Sequence, residues 1–272
     1  MPATLDHIVV HTGRGGMDAA AAATEDLGFT LTERGYHSMG SINHLIMFST
    51  DYLELLGVPA GDTTSRPELQ GAPLGLNGLV FKTDDADGTF RHLQAVGMAA
   101  DPPKSFSRPV DTPSGTRDAR FRTVTVRSDV FSAGRVYFCE HNTPELVWRP
   151  DLPEQQSHEN SAGSFTEIVI VSDTPVEEAA NFALLLNGAA SADNSVSIEG
   201  FKVQVLSWAD YSERFGELAL PRPAGAEGEH SSIFGAVGVS CRRGGPPVEA
   251  GEVRQLEGFD TLVQFWPAGA SL

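Results

Sequence analysis

Two ionisable residues lie inside apolar segments that have the character of β-strands. His7 lies in LDHIVVHT (residues 5–12), and Glu54 lies between leucines in YLELLG (residues 52–57). Burying a carboxylate costs free energy unless it is paired, protonated or metal-bound, and a histidine can bind a metal or transfer a proton. A hydrogen-bonded structural histidine, and a glutamate facing water from an edge strand, are the competing interpretations. The choice depends on which partners the chain brings beside them.

A second group of polar residues surrounds a glycine. His37 and Asn43 lie on either side of Gly40 in HSMGSINHL (residues 37–45). Their side chains could hydrogen-bond a carbonyl substrate. A tight turn, in which Ser41 and Asn43 satisfy backbone groups, explains the same residues at least as well.

A third group closes a later strand, in YFCEHNTPELVWRP (residues 137–150). Strand alternation places Tyr137 and His141 on one face and Glu140 on the other, and a slip of one residue would exchange the faces. Trp148, further along, can pack in a core or cover a ligand. Either face of the strand therefore offers a polar side chain to a site.

The charge of the chain limits its partners. The 272 residues include 19 basic and 36 acidic side chains, a net charge of −17 at pH 7, which repels nucleic acid and, at long range, small anions. An anionic substrate would need a local metal or an arginine, for which Arg149, Arg117, Arg120 and Arg122 are the candidates. No apolar run approaches the roughly 20 residues of a membrane helix, and the N-terminus lacks signal-peptide features. We therefore expect a cytoplasmic protein without membrane or nucleic-acid partners.

Several common catalytic and structural motifs are absent from the sequence. It has no GxSxG nucleophile elbow, P-loop or dinucleotide glycine fingerprint, and no CxxC pair. Its two cysteines, Cys139 and Cys241, lie in apolar strand-like segments. We expect both to be buried free thiols.

The chain repeats one arrangement of elements. Residues 1–60 predict a strand, a helix that ends at Gly28, and three more strands, and residues 72–150 start again with LNGLVFKT. A proline-rich stretch within this second unit, residues 101–119, looks like an extended loop. After a turn-rich linker, FTEIVIVS starts a further, degenerate pair within residues 165–272. These patterns predict an α+β fold of tandem βαβββ units, in which curved mixed sheets carry helices outside and a pocket on the concave face.

The motifs LDHIVV, LGF, GYHSMGSINHLIMF, DYLELLGV and YFCEHNTPELVWRP resemble the glyoxalase-like branch of the vicinal oxygen chelate superfamily. The resemblance covers residues 1–150, which we expect to form a glyoxalase-like domain of two units. Residues 165–272 are expected to form a second, degenerate domain. Members of the superfamily isomerise, cleave rings, break oxirane or C–H bonds, or sequester drugs. The resemblance is therefore specific for the fold and not for the reaction.

The resemblance implies a divalent metal (Zn, Ni, Mn or Fe) held by the first and last strands of each unit. In the first unit these positions fall on His7 and Glu54, which we also expect to be the catalytic groups. In the second unit the first position falls on Gly78, which has no side chain, and the last strand offers Glu140 or His141 as a further metal ligand. The expected substrate-binding residues are His37, Asn43, Tyr137 and Trp148.

Two functions fit these residues. A metal-dependent lyase or isomerase would polarise an oxygen of a small substrate while a carboxylate moves the proton. A ring-cleaving dioxygenase is disfavoured, because Gly78 stands where a second imidazole is required. A non-catalytic protein of the bleomycin-resistance type would instead sequester a small ligand in the same concavity. In both cases residues 165–272 can act as a built-in partner for the first sheet, in the way that a homodimer does in smaller relatives, and a homodimer is the other expected assembly.

Overall fold

The computed structural model describes residues 3–61, 66–223 and 231–270. Its first part is an eight-stranded sheet built from two successive βαβββ units. Within the described residues, no helix is both long enough and apolar enough to span a bilayer. The elements of the first part are β1 (Leu5–Arg14), α1 (Met17–Asp26), β2 (Gly35–Tyr36), β3 (Ile42–Met47), β4 (Tyr52–Val58), β5 (Gly75–Lys82), α2 (Ala86–Ala95), β6 (Lys104–Thr112), β7 (Gly115–Thr125) and β8 (Arg135–His141).

The two units are joined through their first strands. The strand order is β2-β3-β4-β1-β5-β8-β7-β6, with β1 and β5 antiparallel at the centre. The last strand of each unit, β4 or β8, runs parallel to the first strand of the same unit. The paired units predicted from the repeats are therefore present in the fold.

The first sheet curls until its two ends meet. The backbone N–H of Ser38, just after β2, donates to the carbonyl oxygen of Ser107 on β6 at 3.1 Å. The N–H of Ser107 donates in return to the Ser38 hydroxyl at 3.4 Å. This contact between the ends gives the sheet a nearly barrel-like, concave inner face.

A β-bulge occurs at the same position of the first strand in each of the four units. In β1, Leu5 pairs with Phe81 and His7 pairs with Val80, so that Asp6 is the extra residue. The bulge turns Asp6 towards the face on which His7 lies, instead of the opposite face that strict alternation would give it. The corresponding bulged residues are Asp6, Asn77, Thr166 and Gly235.

The second part of the chain forms a six-stranded sheet of related design, in the order β10-β11-β9-β12-β14-β13. Its two first strands, β9 and β12, again pair antiparallel at the centre. The fourth unit has no helix of its own after its first strand. The elements are β9 (Ala162–Ser172), α3 (Pro175–Leu185), β10 (Ser195–Ile198), β11 (Phe201–Leu206), α4 (Trp208–Phe215), β12 (Ser232–Cys241), β13 (Glu252–Gln255) and β14 (Leu262–Trp266).

One hydrophobic core joins the helix-bearing faces of both sheets. It contains residues of α1, α2 and α3 together with side chains of the central strands of each sheet. Aromatic contacts cross between the two parts: the rings of Phe131 and Phe182 lie 4.3 Å apart, and those of Phe48 and Phe165 lie 5.1 Å apart. The two sheets therefore share the apolar surface whose burial stabilises them.

Helix α4 fills the concave face of the second sheet. Its fully buried Tyr211 and its Phe215 pack against Val169 and neighbouring strand residues. The Tyr211 hydroxyl donates to the carbonyl oxygen of Gly235 at 3.0 Å. A Cβ at Gly235 would lie 2.7 Å from the tyrosine ring, so glycine is required for this approach. Side chains of α4 therefore fill the concave face of the second sheet, the counterpart of the concave inner face of the first sheet.

Two segments differ from the sequence-based prediction. Residues 29–36 were expected to form a strand, but only Gly35–Tyr36 pairs, because Thr30 instead donates its N–H to His158 and its hydroxyl to Ser157 in the linker. The expected loop over residues 101–119 is wrong, because it contains β6 and the first five residues of β7, which form a hairpin. Its prolines do not prevent pairing because β6 lies at the sheet edge, where a missing N–H is tolerated.

Candidate active site

A cavity of about 1000 Å³ occupies the concave face of the first sheet. Its wall combines aromatic side chains with a small set of converging polar groups, as is typical of small-molecule sites. The lining residues that matter for the chemistry are His7, His37, Asn43, Tyr52, Glu54, Arg66, Phe106, Arg108, Arg135 and Tyr137.

Glu54 lies at the centre of the polar set. Strand β4 pairs it with Val9, two residues along β1 from His7, and the carboxylate is buried. Asn43 Nδ2 donates to its Oε1 at 2.7 Å. Burial raises the pKa of Glu54, but the neighbouring His37, His7 and Asn43 outweigh burial and lower it overall. The carboxylate is therefore ionised at neutral pH.

His7 is held by a buried aspartate that the bulge brings beside it. Its Nδ1 lies 2.7 Å from Asp6 Oδ2, and His141 Nε2 lies 2.8 Å from the same oxygen. Burial raises the pKa of Asp6, but the two imidazoles outweigh it and hold the pKa below its usual range. Because an ionised carboxylate only accepts hydrogen bonds, His7 carries its proton on Nδ1. Its Nε2 faces the cavity and lies 3.2 Å from the Tyr137 hydroxyl.

His37 presents a second imidazole lone pair to the cavity. Its Nδ1 lies 2.9 Å from the Ser41 hydroxyl, and Asn43 Nδ2 lies 3.5 Å from its Nε2. Burial lowers the pKa of His37 to about 4, an effect that Glu54 opposes and Arg108 and Arg66 reinforce. The imidazole is therefore neutral at pH 7, with Nε2 as the acceptor.

His7 and His37 each approach one oxygen of the Glu54 carboxylate, and the ligand atoms of the three residues are not all within 4.8 Å of one another. Nε2 of His7 lies 3.8 Å from Glu54 Oε2, and Nε2 of His37 lies 3.8 Å from Glu54 Oε1. Two imidazole nitrogens and one carboxylate are a donor set that suits Zn, Ni, Mn or Fe. The Asp6–His7 hydrogen bond also matches the second-layer contact that orients metal-binding histidines. By chemical type the residues therefore suit a divalent ion, and binding one would require the two imidazoles to move closer together.

A second group of ligand-type atoms lies behind the first. One ligand-type atom from each of Asp6, Cys139 and His141 lies within 4.8 Å of the other two. In the described part of the chain, this is the one group of three such residues that lie so close together. Both imidazoles already occupy the Asp6 carboxylate, and burial raises the pKa of the Cys139 thiol well above its usual value. This arrangement serves to hold His7. The expectation that Cys139 and Cys241 are buried free thiols is confirmed.

The remaining candidates of the last strand fall in different places. Tyr137 lines the cavity, whereas His141 reaches the site only through Asp6. Glu140 faces the other side of the sheet, where it accepts the N–H of Ala86 at the start of α2 at 2.9 Å. The register pairs Val80 with Tyr137 in the way that it pairs Val9 with Glu54, so Tyr137 is the counterpart of Glu54.

Trp148 does not line the cavity. Its ring packs edge-on against Tyr52 at 5.6 Å, and Tyr52 in turn stacks on His7 with ring centres 4.5 Å apart. The indole N–H donates to the carbonyl oxygen of Phe48 at 3.2 Å. Trp148 therefore supports the ring that supports His7, and it has no position from which to contact a ligand in the cavity.

The arginines named from the sequence lie outside the cavity, and other arginines line it. Arg149 pairs with Asp151, and Arg117 pairs with Glu145. Arg122 pairs with Asp87 and Arg120 is exposed, so neither lines the cavity. The sequence analysis missed Arg66, Arg108 and Arg135, together with Asp6. Of these four residues, only Asp6 could have been suspected from the sequence, because it directly precedes His7.

Position 78 also has a different consequence from the one expected. Gly78 carries no ligand, but His37 supplies a second imidazole from the turn after β2. The cavity therefore contains a second imidazole, although position 78 has no side chain. His37 lies between β2 and β3, outside the strand positions that the repeat compares.

Comparison with known proteins places this architecture among enzymes and uncharacterised proteins. The model of the glyoxalase-like domain family matches residues 5–186. A hypothetical protein from Staphylococcus aureus, at 12% identity, has a TM-score of 0.70 over 97% of this chain and 99% of that chain. A mutant of 4-hydroxymandelate synthase from Streptomyces coelicolor, also at 12% identity, has a TM-score of 0.53 over 88% of this chain and 71% of that chain. No curated protein is significantly similar in sequence.

Paired βαβββ units that enclose a polar cavity on a concave sheet define a vicinal oxygen chelate protein. The family model spans well over half of the sequence. The chain belongs to the glyoxalase-like domain family. The family resemblance and the fold class predicted from the sequence are thereby confirmed, and the solved structures, at their low identity, support the fold alone.

Proposed function

We propose that the protein is a metal-dependent lyase or isomerase that moves a proton on a small oxygenated substrate. One observation carries the proposal: an ionised, buried glutamate lies between two imidazoles inside a cavity large enough for a substrate. Imidazole nitrogens and a carboxylate are ligand types that bind a divalent cation.

His7, His37 and Glu54 are the residues that would hold the ion. When bound, a divalent metal would act as a Lewis acid towards a carbonyl or enolate oxygen. Asp6 positions His7 by fixing which of its nitrogens carries the proton. The Ser41 hydroxyl, 2.9 Å from Nδ1, holds the ring of His37 in place.

The proton transfer itself is assigned to groups of the chain. The free oxygen of the Glu54 carboxylate is a base that is already ionised and already desolvated. Burial raises the pKa of Tyr137 above its usual value, so its hydroxyl stays protonated and can donate to a substrate oxygen. These two groups give the base and the hydrogen-bond donor that an enolising reaction needs.

A second function is favoured by the second unit. Gly78 and Tyr137 occupy the positions that correspond to His7 and Glu54, so half of the symmetric ligand set is absent. A protein that sequesters a small molecule without a metal would not need this set of metal ligands. The two functions make opposite predictions about metal content.

The deciding experiment is elemental analysis of protein purified without chelator and then exposed to Zn²⁺, Ni²⁺, Mn²⁺ or Fe²⁺. We expect about one ion per chain in the wild type, and a loss of binding in His7→Ala and Glu54→Gln. His92→Ala, which changes an exposed histidine of α2, is the matched control and should keep the ion. A wild type that binds none of the four metals would contradict the enzyme and favour the sequestering protein.

Turnover is tested separately with the metal-loaded protein. Thioether and dicarbonyl compounds are screened by proton exchange with deuterated water and by product formation, with oxygen uptake recorded in parallel. Glu54→Gln should abolish exchange, because it removes both a metal ligand and the proton acceptor. Turnover that consumes oxygen would rule out a simple lyase or isomerase.

A further inference from the structure

The cavity wall carries positive charge that neither the metal nor the proton transfer uses. Arg66, Arg108 and Arg135 all line it, in a protein whose net charge is −17. Of these, Arg66 is partly satisfied, because Nε donates to Glu68 at 2.7 Å and Nη1 donates to Ser41 at 2.9 Å. The other two differ from ordinary surface arginines.

Arg108 has no hydrogen-bond or ion-pair partner among the residues that the structure describes. It lies on β6 where the two ends of the sheet meet, with its side chain beside Gly35 of β2. A Cβ at Gly35 would lie 2.8 Å from Arg108 Cδ, so glycine makes room for the arginine. Burial lowers the pKa of Arg108, an effect that Tyr52 and Glu54 oppose.

Arg135 presents a second unused donor. Its Nε donates to Asn77 Oδ1 at 3.1 Å, whereas its buried Nη2 has no partner in the described part of the chain. Its guanidinium lies 5.8 Å from the centre of the Tyr137 ring. The unpaired donor therefore borders the candidate active site.

Unpaired, partly desolvated guanidinium groups are costly, and proteins keep them where a ligand supplies the missing acceptors. The surface provides the contrast, because Arg149 and Arg117 there are paired with carboxylates of the chain. The planar fork of arginine matches the two oxygens of a carboxylate. The long-range field of the protein repels anions, so such a ligand needs a local cationic contact.

We propose that the ligand of this cavity is a small organic acid, and that Arg108 binds its carboxylate while Arg135 supplies a further donor. This inference rests on the proposed function, and it names the chemical class of the substrate. The carboxylate would be held on the β6 side of the cavity, and the reacting carbon would lie towards Glu54. An arginine that only stabilises the fold would not distinguish a carboxylate from an amide of the same shape.

The test is isothermal titration of the full chain with malonate, malonamide and inorganic phosphate, at constant ionic strength. The protein is used as purified and again after chelator treatment, because a bound metal could itself coordinate malonate. We expect malonate to bind both samples, and malonamide to bind at least about tenfold more weakly, the value of one charged hydrogen bond. Phosphate should bind more weakly than malonate.

The variant Arg108→Gln should weaken malonate binding by about tenfold to a hundredfold. Arg117→Gln removes an ion-paired surface arginine and should leave binding unchanged. Arg108→Lys keeps the charge without the planar fork and should give an intermediate affinity, which also serves if Arg108→Gln does not fold. Circular dichroism and the thermal midpoint verify the fold of each variant.

The outcomes separate the two proposals. Glu54→Gln should lose metal and turnover yet keep malonate binding, whereas Arg108→Gln should keep the metal. Equal affinities for malonate and malonamide, unchanged malonate binding in Arg108→Gln, or tighter binding of phosphate than of malonate would each overturn the carboxylate assignment. None of these results depends on whether the protein is catalytic.

Discussion

At the scale of single residues, Asp6 positions His7 without itself lining the cavity. It is fully buried, and it accepts from both His7 and His141. An aspartate at this position could not reach either imidazole without the bulge in β1. The chemistry of His7 therefore depends on a residue that does not touch the cavity.

Replacing this aspartate tests its positioning role. Asp6→Asn should destabilise the protein by about 3 kcal/mol, because it removes the charge from a buried network of paired groups. It should also weaken metal binding by about tenfold to a hundredfold. Urea unfolding and metal titration measure the two effects. Asp87→Asn, at an exposed ion pair with Arg122, is the control and should change neither quantity.

His37 predicts a pH dependence of stability. Its pKa is lowered from 6.5 to about 4, so between these values the unfolded chain binds a proton that the folded chain does not. The contribution of this group to the free energy of unfolding is therefore fully present above pH 6.5. It is lost as the pH falls from 6.5 through 4, by up to about 3 kcal/mol. Urea unfolding of wild type and His37→Gln between pH 4.5 and 7.5 should show the smaller loss in the variant.

Asp51 also changes the pH dependence of stability, so the effect of His37 has to be measured as a difference between wild type and His37→Gln. Burial raises its pKa to about 6, so its contribution is lost as the pH rises from about 4 to 6, the opposite sign to that of His37. The two effects partly cancel in the wild-type profile. Identical slopes in wild type and His37→Gln would show that the imidazole is not desolvated as described.

At the scale of elements, α4 explains why only one of the two sheets keeps a cavity. Its Arg214 donates to Glu167, which is buried and also pairs with Lys202. Glu167 follows the bulged Thr166 as His7 follows Asp6, so the two residues occupy equivalent strand positions. The helix uses that position for a structural ion pair.

The packing of α4 is testable by truncating its buried tyrosine. Tyr211→Ala should destabilise the protein by about 3–5 kcal/mol, because it removes a large buried ring and its hydrogen bond to Gly235. Glu213→Ala, at an exposed position of the same helix, should change stability by less than about 0.5 kcal/mol. Thermal unfolding compares them. A loss under 1 kcal/mol for Tyr211→Ala would contradict a packed helix.

At the scale of the whole molecule, the shared core makes the two sheets depend on each other. Phe48 and Phe131 of the first part pack against Phe165 and Phe182 of the second. The boundary between domains at residues 150 and 165 stays a prediction, and so does the homodimer. Any division of the chain there would expose the faces that these rings cover.

A fragment of residues 1–150 should therefore not be a stable monomer. We expect it to bind a hydrophobic dye and to elute from size exclusion as higher-order species, because its helix-bearing face loses its cover. The full chain, run alongside, should elute as a discrete species and bind little dye. A monomeric fragment with a cooperative unfolding transition would instead establish an independent first domain.

The repeat and most strands could be predicted from the sequence, because alternation and turn residues are local signals. His7 and Glu54 were assigned to the first and last strands of the first unit, the family resemblance implied that they share a site, and both line the cavity. Trp148, Glu140 and the surface arginines were not placed correctly. Whether a side chain at a strand end or an edge faces a cavity depends on strand register and sheet curvature, which local patterns do not encode.

The sequence by itself determined the type, order and repetition of most elements, and three of the acidic and basic groups in the cavity, His7, His37 and Glu54. Tertiary structure decided the rest: the bulge that brings Asp6 under His7, the closure that brings Arg108 beside Gly35, and the helix that fills the second concavity. The physical reason is separation along the chain. A bulge exists only relative to a partner strand, and the closure and the filled face join segments whose approach is set by the packing of all the others.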